Sequence, residues 1–173
     1  MSKGLYLDTN IVFGLFDRQL ERLRKGKNFK IPERLKLLHS KGTSLYVSIV
    51  TRSELFIKLK ERWNITPREF SELESLWMFF LSTYKIIELV PGIPPYEHIV
   101  LKDVYSCVKH GLSIKTEVTN RIFGYVDFIH LYIAKINQLT YLTAERNLNK
   151  IMLKRLNEIG SVINWGRFRR LFG

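Results

Sequence analysis

Four carboxylates in this 173-residue chain stand at positions suited to shared chemistry. Asp8 closes the short apolar run Leu5-Tyr6-Leu7 and is followed at once by Thr9 and Asn10. Glu54 ends the stretch Ser48-Ile49-Val50-Thr51-Arg52-Ser53-Glu54, one helical turn beyond a second apolar run. Asp127 opens an apolar stretch with helical character, and Glu145 follows Leu142-Thr143-Ala144. An ionised Asp in so apolar a setting is costly to bury, and carboxylates sharing one pocket raise one another's pKa. A cation relieves both costs. Carboxylate and water are hard oxygen donors, which suit Mg²⁺ or Mn²⁺, and zinc is disfavoured on the reading that no His lies near the first three acids, Asp8, Glu54 and Asp127. A divalent ion held this way lowers the pKa of a water and orients it for attack on phosphorus, and a second ion would stabilise the leaving oxygen. Each acid also has an ordinary role open to it. Asp127 and Glu145 can complement helix dipoles, and Glu54 can pair with Arg52. Asp8 is the hardest to explain without a partner.

These side chains converge only if particular elements carry them. Gly4–Asp8 reads as a buried strand, too short for a helix. Thr9 or Asn10 can cap a helix running to about Phe16, with a basic segment over Arg18–Lys30 beyond it. Pro32 suits the first turn of a helix that Gly42 stops. Ser44–Ile49 reads as a second strand and Val50–Trp63 as a helix. Thr66, Pro67 and Glu69 form a capping-box pattern opening another helix, whose aromatic stripe (Phe70, Trp77, Phe80) has helical spacing and reads as core. Tyr84–Leu89 is a third strand, the Pro91-Gly92 and Pro94-Pro95 pairs mark a loop, and Tyr96–His110 is helical. Val126–Asn137 is a helix, Leu139–Leu142 a fourth strand, Thr143–Leu156 a helix, and Ser161–Ile163 a last strand. Strands separated by helices imply parallel pairing and an α/β sandwich. With strands one, two and four as neighbours, Asp8, Glu54 and Glu145 meet at one sheet edge, where open α/β sheets place their sites.

Composition narrows the partners. A length of 173 residues suits one domain, and 46% hydrophobic residues exclude a disordered chain. Lys and Arg number 28 against 16 Asp and Glu, a net charge of +12, which favours a polyanionic partner. A single cysteine, Cys107, excludes an internal disulfide framework and a Cys-cluster zinc site. That usage fits a reducing, cytoplasmic setting. No run approaches the ~18 apolar residues a membrane span requires, and Asp8 interrupts what would otherwise resemble a leader.

With these residues in view, the chain resembles the PIN-domain nucleases, most closely the VapC-type toxins. The resemblance is carried by Leu7-Asp8-Thr9-Asn10, by Ser48 through Leu55, by Asp127-Phe128-Ile129-His130-Leu131-Tyr132-Ile133-Ala134, and by Leu142-Thr143-Ala144-Glu145-Arg146-Asn147-Leu148. The blocks fall in the family's order over nearly the whole chain. They imply a Rossmann-like three-layer α/β/α sandwich with a central parallel sheet, in a single domain over 1–173. They also imply Mg²⁺- or Mn²⁺-dependent endoribonuclease activity, a homodimer, and a cognate antitoxin covering the groove.

Matched position by position, Asp8, Glu54 and Asp127 correspond to the family's metal-binding acids. Glu145 stands where the family commonly has Asp, which lengthens the reach by one methylene. Asn147 replaces a further acid. Thr143 and Asn10 correspond to residues that support the first carboxylate, with Thr9 beside them. The stretch between Glu54 and Asp127 is longer than in the family's compact members, so an added element is expected over 84–119. His130, one turn after Asp127, is expected to be packed or hydrogen-bonded rather than catalytic.

RNA contact is expected from Arg18, Arg22, Arg52, Arg146 and Lys150. Lys and Arg supply affinity to phosphate with little sequence choice. Two other readings stand beside the nuclease: a non-catalytic PIN-like scaffold that binds RNA or protein, and a nuclease of RNA maturation rather than a toxin.

Overall fold

A computed structural model of the chain describes residues 4–28, 42–90, 125–145, 150–164, 166 and 168. Five short parallel strands build one sheet: β1 (Leu5–Leu7), β2 (Leu45–Ser48), β3 (Ile87–Leu89), β4 (Thr140–Thr143) and β5 (Val162–Asn164), in the order β3-β2-β1-β4-β5. The chain winds outward from β1 to β3 on one side, then crosses back to β4 and β5 on the other. The crossover places a topological switch point between β1 and β4, where their carboxyl ends open a crevice.

Helices cover both faces. On one side lie α1 (Thr9–Arg24), α2 (Ile49–Trp63) and α3 (Pro67–Thr83); on the other lie α4 (Tyr125–Ile136) and α5 (Lys150–Ile159). Alternation along β1 sorts its side chains between the two layers. Leu5 and Leu7 join Phe16, Leu55 and Trp77, while Tyr6 joins Leu131, Tyr141 and Leu156. Strands one, two and four are indeed neighbours, as the site required.

The strand and helix positions agree with the sequence in order but differ at several ends; the third strand, expected over Tyr84–Leu89, begins only at Ile87 because Tyr84 caps α3. The first helix does not stop near Phe16 but runs to Arg24, absorbing the front of the basic segment. Its apolar stripe continues through buried Gln19 and Leu20, and Gly26, at φ +62°, ends the turn that follows. Ile49 belongs to α2 rather than to the strand, because Ser48 caps that helix. Thr143 ends β4 instead of opening a helix, and α5 begins only at Lys150. The capping box of Thr66 with Glu69 forms as expected, with Pro67 at the helix start. The elements expected over Pro32–His39 and Tyr96–His110, and all of the 84–119 segment beyond residue 90, lie outside the described residues. Among the described residues no helix is long and apolar enough to cross a membrane.

The first strand begins at a tight approach. A Cβ on Gly4 would stand 2.5 Å from the Ser44 carbonyl oxygen and 2.7 Å from the Tyr46 ring. Only glycine lets the chain enter here, where Leu5 N–H donates to that same carbonyl.

Candidate metal centre

Asp8 lies at the carboxyl end of the central strand and occupies the N-cap position of α1, yet its side chain does not cap the helix. It turns across the sheet to the end of β4. There the Thr143 hydroxyl donates to Asp8 Oδ2 at 2.6 Å. Thr143 Oγ1 in turn accepts from Asn10 Nδ2 at 3.2 Å and from Glu145 N–H at 3.1 Å. One donor and two acceptor sites exhaust a hydroxyl, so the Thr143 side chain is fully committed. Asn10 Oδ1 also accepts from Ala144 N–H at 2.9 Å, which clasps the β4 exit to the start of α1. Asn10 therefore supports Asp8 through Thr143 and not directly.

Burial is the main electrostatic fact about Asp8. The side chain is nearly sealed from solvent, and desolvation raises its pKa above the ordinary carboxylate range. Attraction to nearby His130 and the Thr143 hydrogen bond oppose the rise, and the nearby Glu54 charge adds to it. No ion pair to Asp8 is formed among the described residues. Beside it, the buried Tyr141 hydroxyl finds no partner in hydrogen-bond geometry. It faces Asp8 closely enough that burial first, and the charges of Asp8 and Asp127 after it, hold its pKa far above 10. Asp8, Asp127 and Tyr141 thus share one neighbourhood, with Glu54 in electrostatic reach.

Glu54, on α2, has the opposite character. Burial pushes its pKa up, but hydrogen bonds from His130, Lys58 and Thr9 more than offset that and hold it down to about 2. Its Oε2 accepts from the Thr9 hydroxyl and lies 3.0 Å from His130 Nε2. Its Oε1 meets Lys58 Nζ at 2.5 Å, one helical turn on. Thr9 was expected to support the site, and its partner is Glu54. His130 is fully buried and hydrogen-bonded, as the sequence suggested.

The structure adds residues that the sequence did not single out. Tyr6 OH lies 2.7 Å from His130 Nδ1 and 2.6 Å from Ser48 Oγ, with Thr51 Oγ1 at 3.2 Å. Ser48 and Thr51 also form the capping box of α2. Their Ser-x-x-Thr spacing is a visible cap signal, but nothing in it points to Tyr6, 42 residues away.

The four acids do not close into a finished ligand set. Among the described residues no three His, Cys, Asp or Glu side chains stand together as one ion would need. Glu145 is placed by its backbone, with N–H on Thr143 and its carbonyl accepting from Asn164 Nδ2. The donor chemistry nonetheless fits a hard cation: a sealed carboxylate without an ion-pair partner stands beside a buried hydroxyl that faces it.

The basic residues divide. Arg18 is exposed on α1. Arg22 is engaged within the chain, donating from Nε and Nη2 to the Asn28 carbonyl at 3.0 and 2.8 Å. Arg52 lies 3.3 Å from Glu88 Oε1 in an ion pair that lacks hydrogen-bond geometry. Arg146 and the Lys150 side chain lie outside what is described.

No protein-family model matches the chain, and no curated protein matches it. Among solved structures it is similar to one chain of the crystal structure of VapBC2 from Rickettsia felis bound to a DNA fragment from their promoter. The match has a TM-score of 0.56 at 19% identity, covering 93% of this chain and 98% of that one. At that identity the likeness speaks to the fold alone, a central parallel sheet between helical layers.

Proposed function

We propose that this protein is a Mg²⁺- or Mn²⁺-dependent endoribonuclease and the toxin of a toxin–antitoxin pair. The observation that carries the reading is Asp8: a carboxylate sealed at the switch point of a PIN-like sheet, raised in pKa by burial and lacking an ion-pair partner. Asp8, Glu54, Asp127 and Glu145 would hold the ion. A bound Mg²⁺ or Mn²⁺ supplies the Lewis acidity that makes water a nucleophile near neutral pH and offsets charge on the phosphate. The chain's own part is orientation. Thr143 fixes the rotamer of Asp8, with Asn10 behind it. Thr9 holds Oε2 of Glu54. Arg18, Arg22, Arg52, Arg146 and Lys150 supply the positive surface along which an RNA backbone lies. The similarity to a chain of a VapBC2 complex supports an antitoxin as partner; a homodimer is the assembly that the family resemblance implies.

The test is cleavage of a single-stranded RNA with added Mn²⁺. Asp8→Asn, which keeps the shape and removes the charge, is expected to abolish cleavage while leaving the circular dichroism spectrum unchanged. Persistent Mn²⁺-dependent cleavage by that variant overturns the proposal.

One observation favours a second reading, a non-catalytic scaffold. Glu54 already has Lys58 as counter-charge, and no three acids converge among the described residues. Tight RNA binding together with no Mn²⁺ binding would establish that reading instead. Cleavage confined to one precursor RNA would favour a maturation role.

A further inference from the structure

His130 lies at the centre of a chain of buried hydrogen bonds that the proposed nuclease mechanism does not itself require. Both ring nitrogens are engaged, Nδ1 with Tyr6 OH at 2.7 Å and Nε2 with Glu54 Oε2 at 3.0 Å and Thr9 Oγ1 at 3.1 Å. The ring is fixed laterally as well. It lies near-parallel to Tyr141, at 12° with centroids 6.5 Å apart, and tilts against Tyr6 at 5.7 Å.

The direction of each bond follows from the donor inventory. Glu54 is ionised and can only accept. Nε2 must therefore carry a hydrogen and donate it. In the neutral ring Nδ1 is then an acceptor and takes the Tyr6 proton. The Tyr6 oxygen is left to accept from Ser48 Oγ–H, 2.6 Å away. Ser48 Oγ accepts in turn from Thr51 N–H at 3.3 Å. Every bond from the cap of α2 to the carboxylate runs the same way. With the ring neutral, this arrangement satisfies each group and places the ring proton on Nε2.

That arrangement treats the two oxygens of Glu54 differently. Oε2 receives two donors from rigid, fully buried side chains, Thr9 and His130. Oε1 receives Lys58, whose side chain is 44% exposed and free to swing toward solvent. The carboxylate is pinned by one oxygen and offers the other.

We propose that His130 is a positioning residue: pinned by Tyr6 on one ring nitrogen, it orients Glu54 with the other so that Oε1 is presented to a divalent cation. The inference rests on the metal-dependent reading above. It names a residue that touches neither ion nor substrate and acts through Glu54. Outer partners of this kind alter metal affinity by about 10–100-fold when removed.

The experiment titrates the metal alone. Mn²⁺ is added to full-length protein without RNA, and the free aquo-ion is followed by electron paramagnetic resonance. His130→Gln places an amide N–H near the position of Nε2 and keeps the donor to Glu54. His130→Asn places its carbonyl near Nδ1, keeping the acceptor for Tyr6 and losing the donor to Glu54. The Gln variant is expected to bind Mn²⁺ within about threefold of the wild type, and the Asn variant about tenfold or more weakly. Thermal melts run in parallel, because a merely structural histidine would make affinity follow stability in both variants. Equal weakening in the two variants, or none in either, overturns the inference while leaving the metal reading standing. A wild-type protein that binds no Mn²⁺ overturns both. Should the variants fail to fold, ¹⁵N shifts of the His130 ring in metal-free wild-type protein decide the point. A proton on Nε2 is expected, and an Nε2 without one overturns the inference.

Discussion

Asp8 and Glu54 lie within reach of each other's charge, yet their environments drive them apart. For Asp8, burial raises the folded-state pKa, so the unfolded chain gives up its proton first. Stability present at low pH is lost as pH rises from the ordinary Asp range through the raised folded value. Metal-free protein at a pH above that raised value bears the loss in full. Asp8→Asn in chelator is therefore expected to melt above the wild type at pH 7.5, by about 2–4 °C if relief of the charge is worth ~1 kcal/mol. The gap closes toward pH 4, and Mn²⁺ raises the melting point of the wild type only. For Glu54, held to about 2 against an ordinary 4.5, the sign is reversed. Its contribution is complete above pH 4.5 and is lost as pH falls toward 2. Glu54→Gln is expected to lower stability at pH 7 and to flatten the acid limb of a urea-denaturation series. Lys58 supplies a third outcome. It competes with a cation for Oε1 through a partly exposed pair, an interaction worth up to ~1 kcal/mol. Lys58→Met is expected to tighten Mn²⁺ binding by a factor of about two to five, read in the same titration.

The secondary-structure elements explain why some of this was legible in the sequence and some was not. Asp8 stood out because an apolar run that ends in Asp has few other uses. The Thr66–Glu69 cap was legible because its chemistry is local and spans three residues. The length of α1 is hidden in the sequence because its later turns carry Arg18, Arg22 and Arg24, which read as a basic tail, while buried Gln19 and Leu20 continue the stripe beneath. The Tyr6–His130 bond joins residues 124 apart in sequence and has no local signature. The cap of α2 ties the two kinds of information together. Ser48 holds both the helix start and the Tyr6 hydroxyl, so Ser48→Ala removes a cap and leaves a buried phenol short of a donor. A loss of about 1–3 kcal/mol is expected from chemical denaturation, against about 1 kcal/mol for the cap alone.

At the scale of the whole molecule, a net charge of +12 raises the question of which cations are free to meet a phosphate backbone. Arg24 makes a two-pronged contact with Glu69 and lies 5.3 Å over the Trp63 ring. Arg22 and Arg52 also have partners within the chain. Arg18 is exposed, eight residues beyond Asn10 on α1, which is about 12 Å along the helix from the site. Arg18→Ala is expected to weaken binding to single-stranded RNA uniformly across sequences. It is also expected to reduce the slope of log affinity against log salt by about 0.7. An unchanged slope would place the RNA elsewhere.

The brevity of the central strand has an effect on folding fidelity. A one-residue slip of β1 would turn Tyr6 into the aliphatic layer and press leucines against His130. The oil-filled half of the sandwich and the hydroxyl-lined half would reject the same mistake together. A correctly aligned chain and a competent one are thus the same molecule, and proofreading of the register is built into three residues.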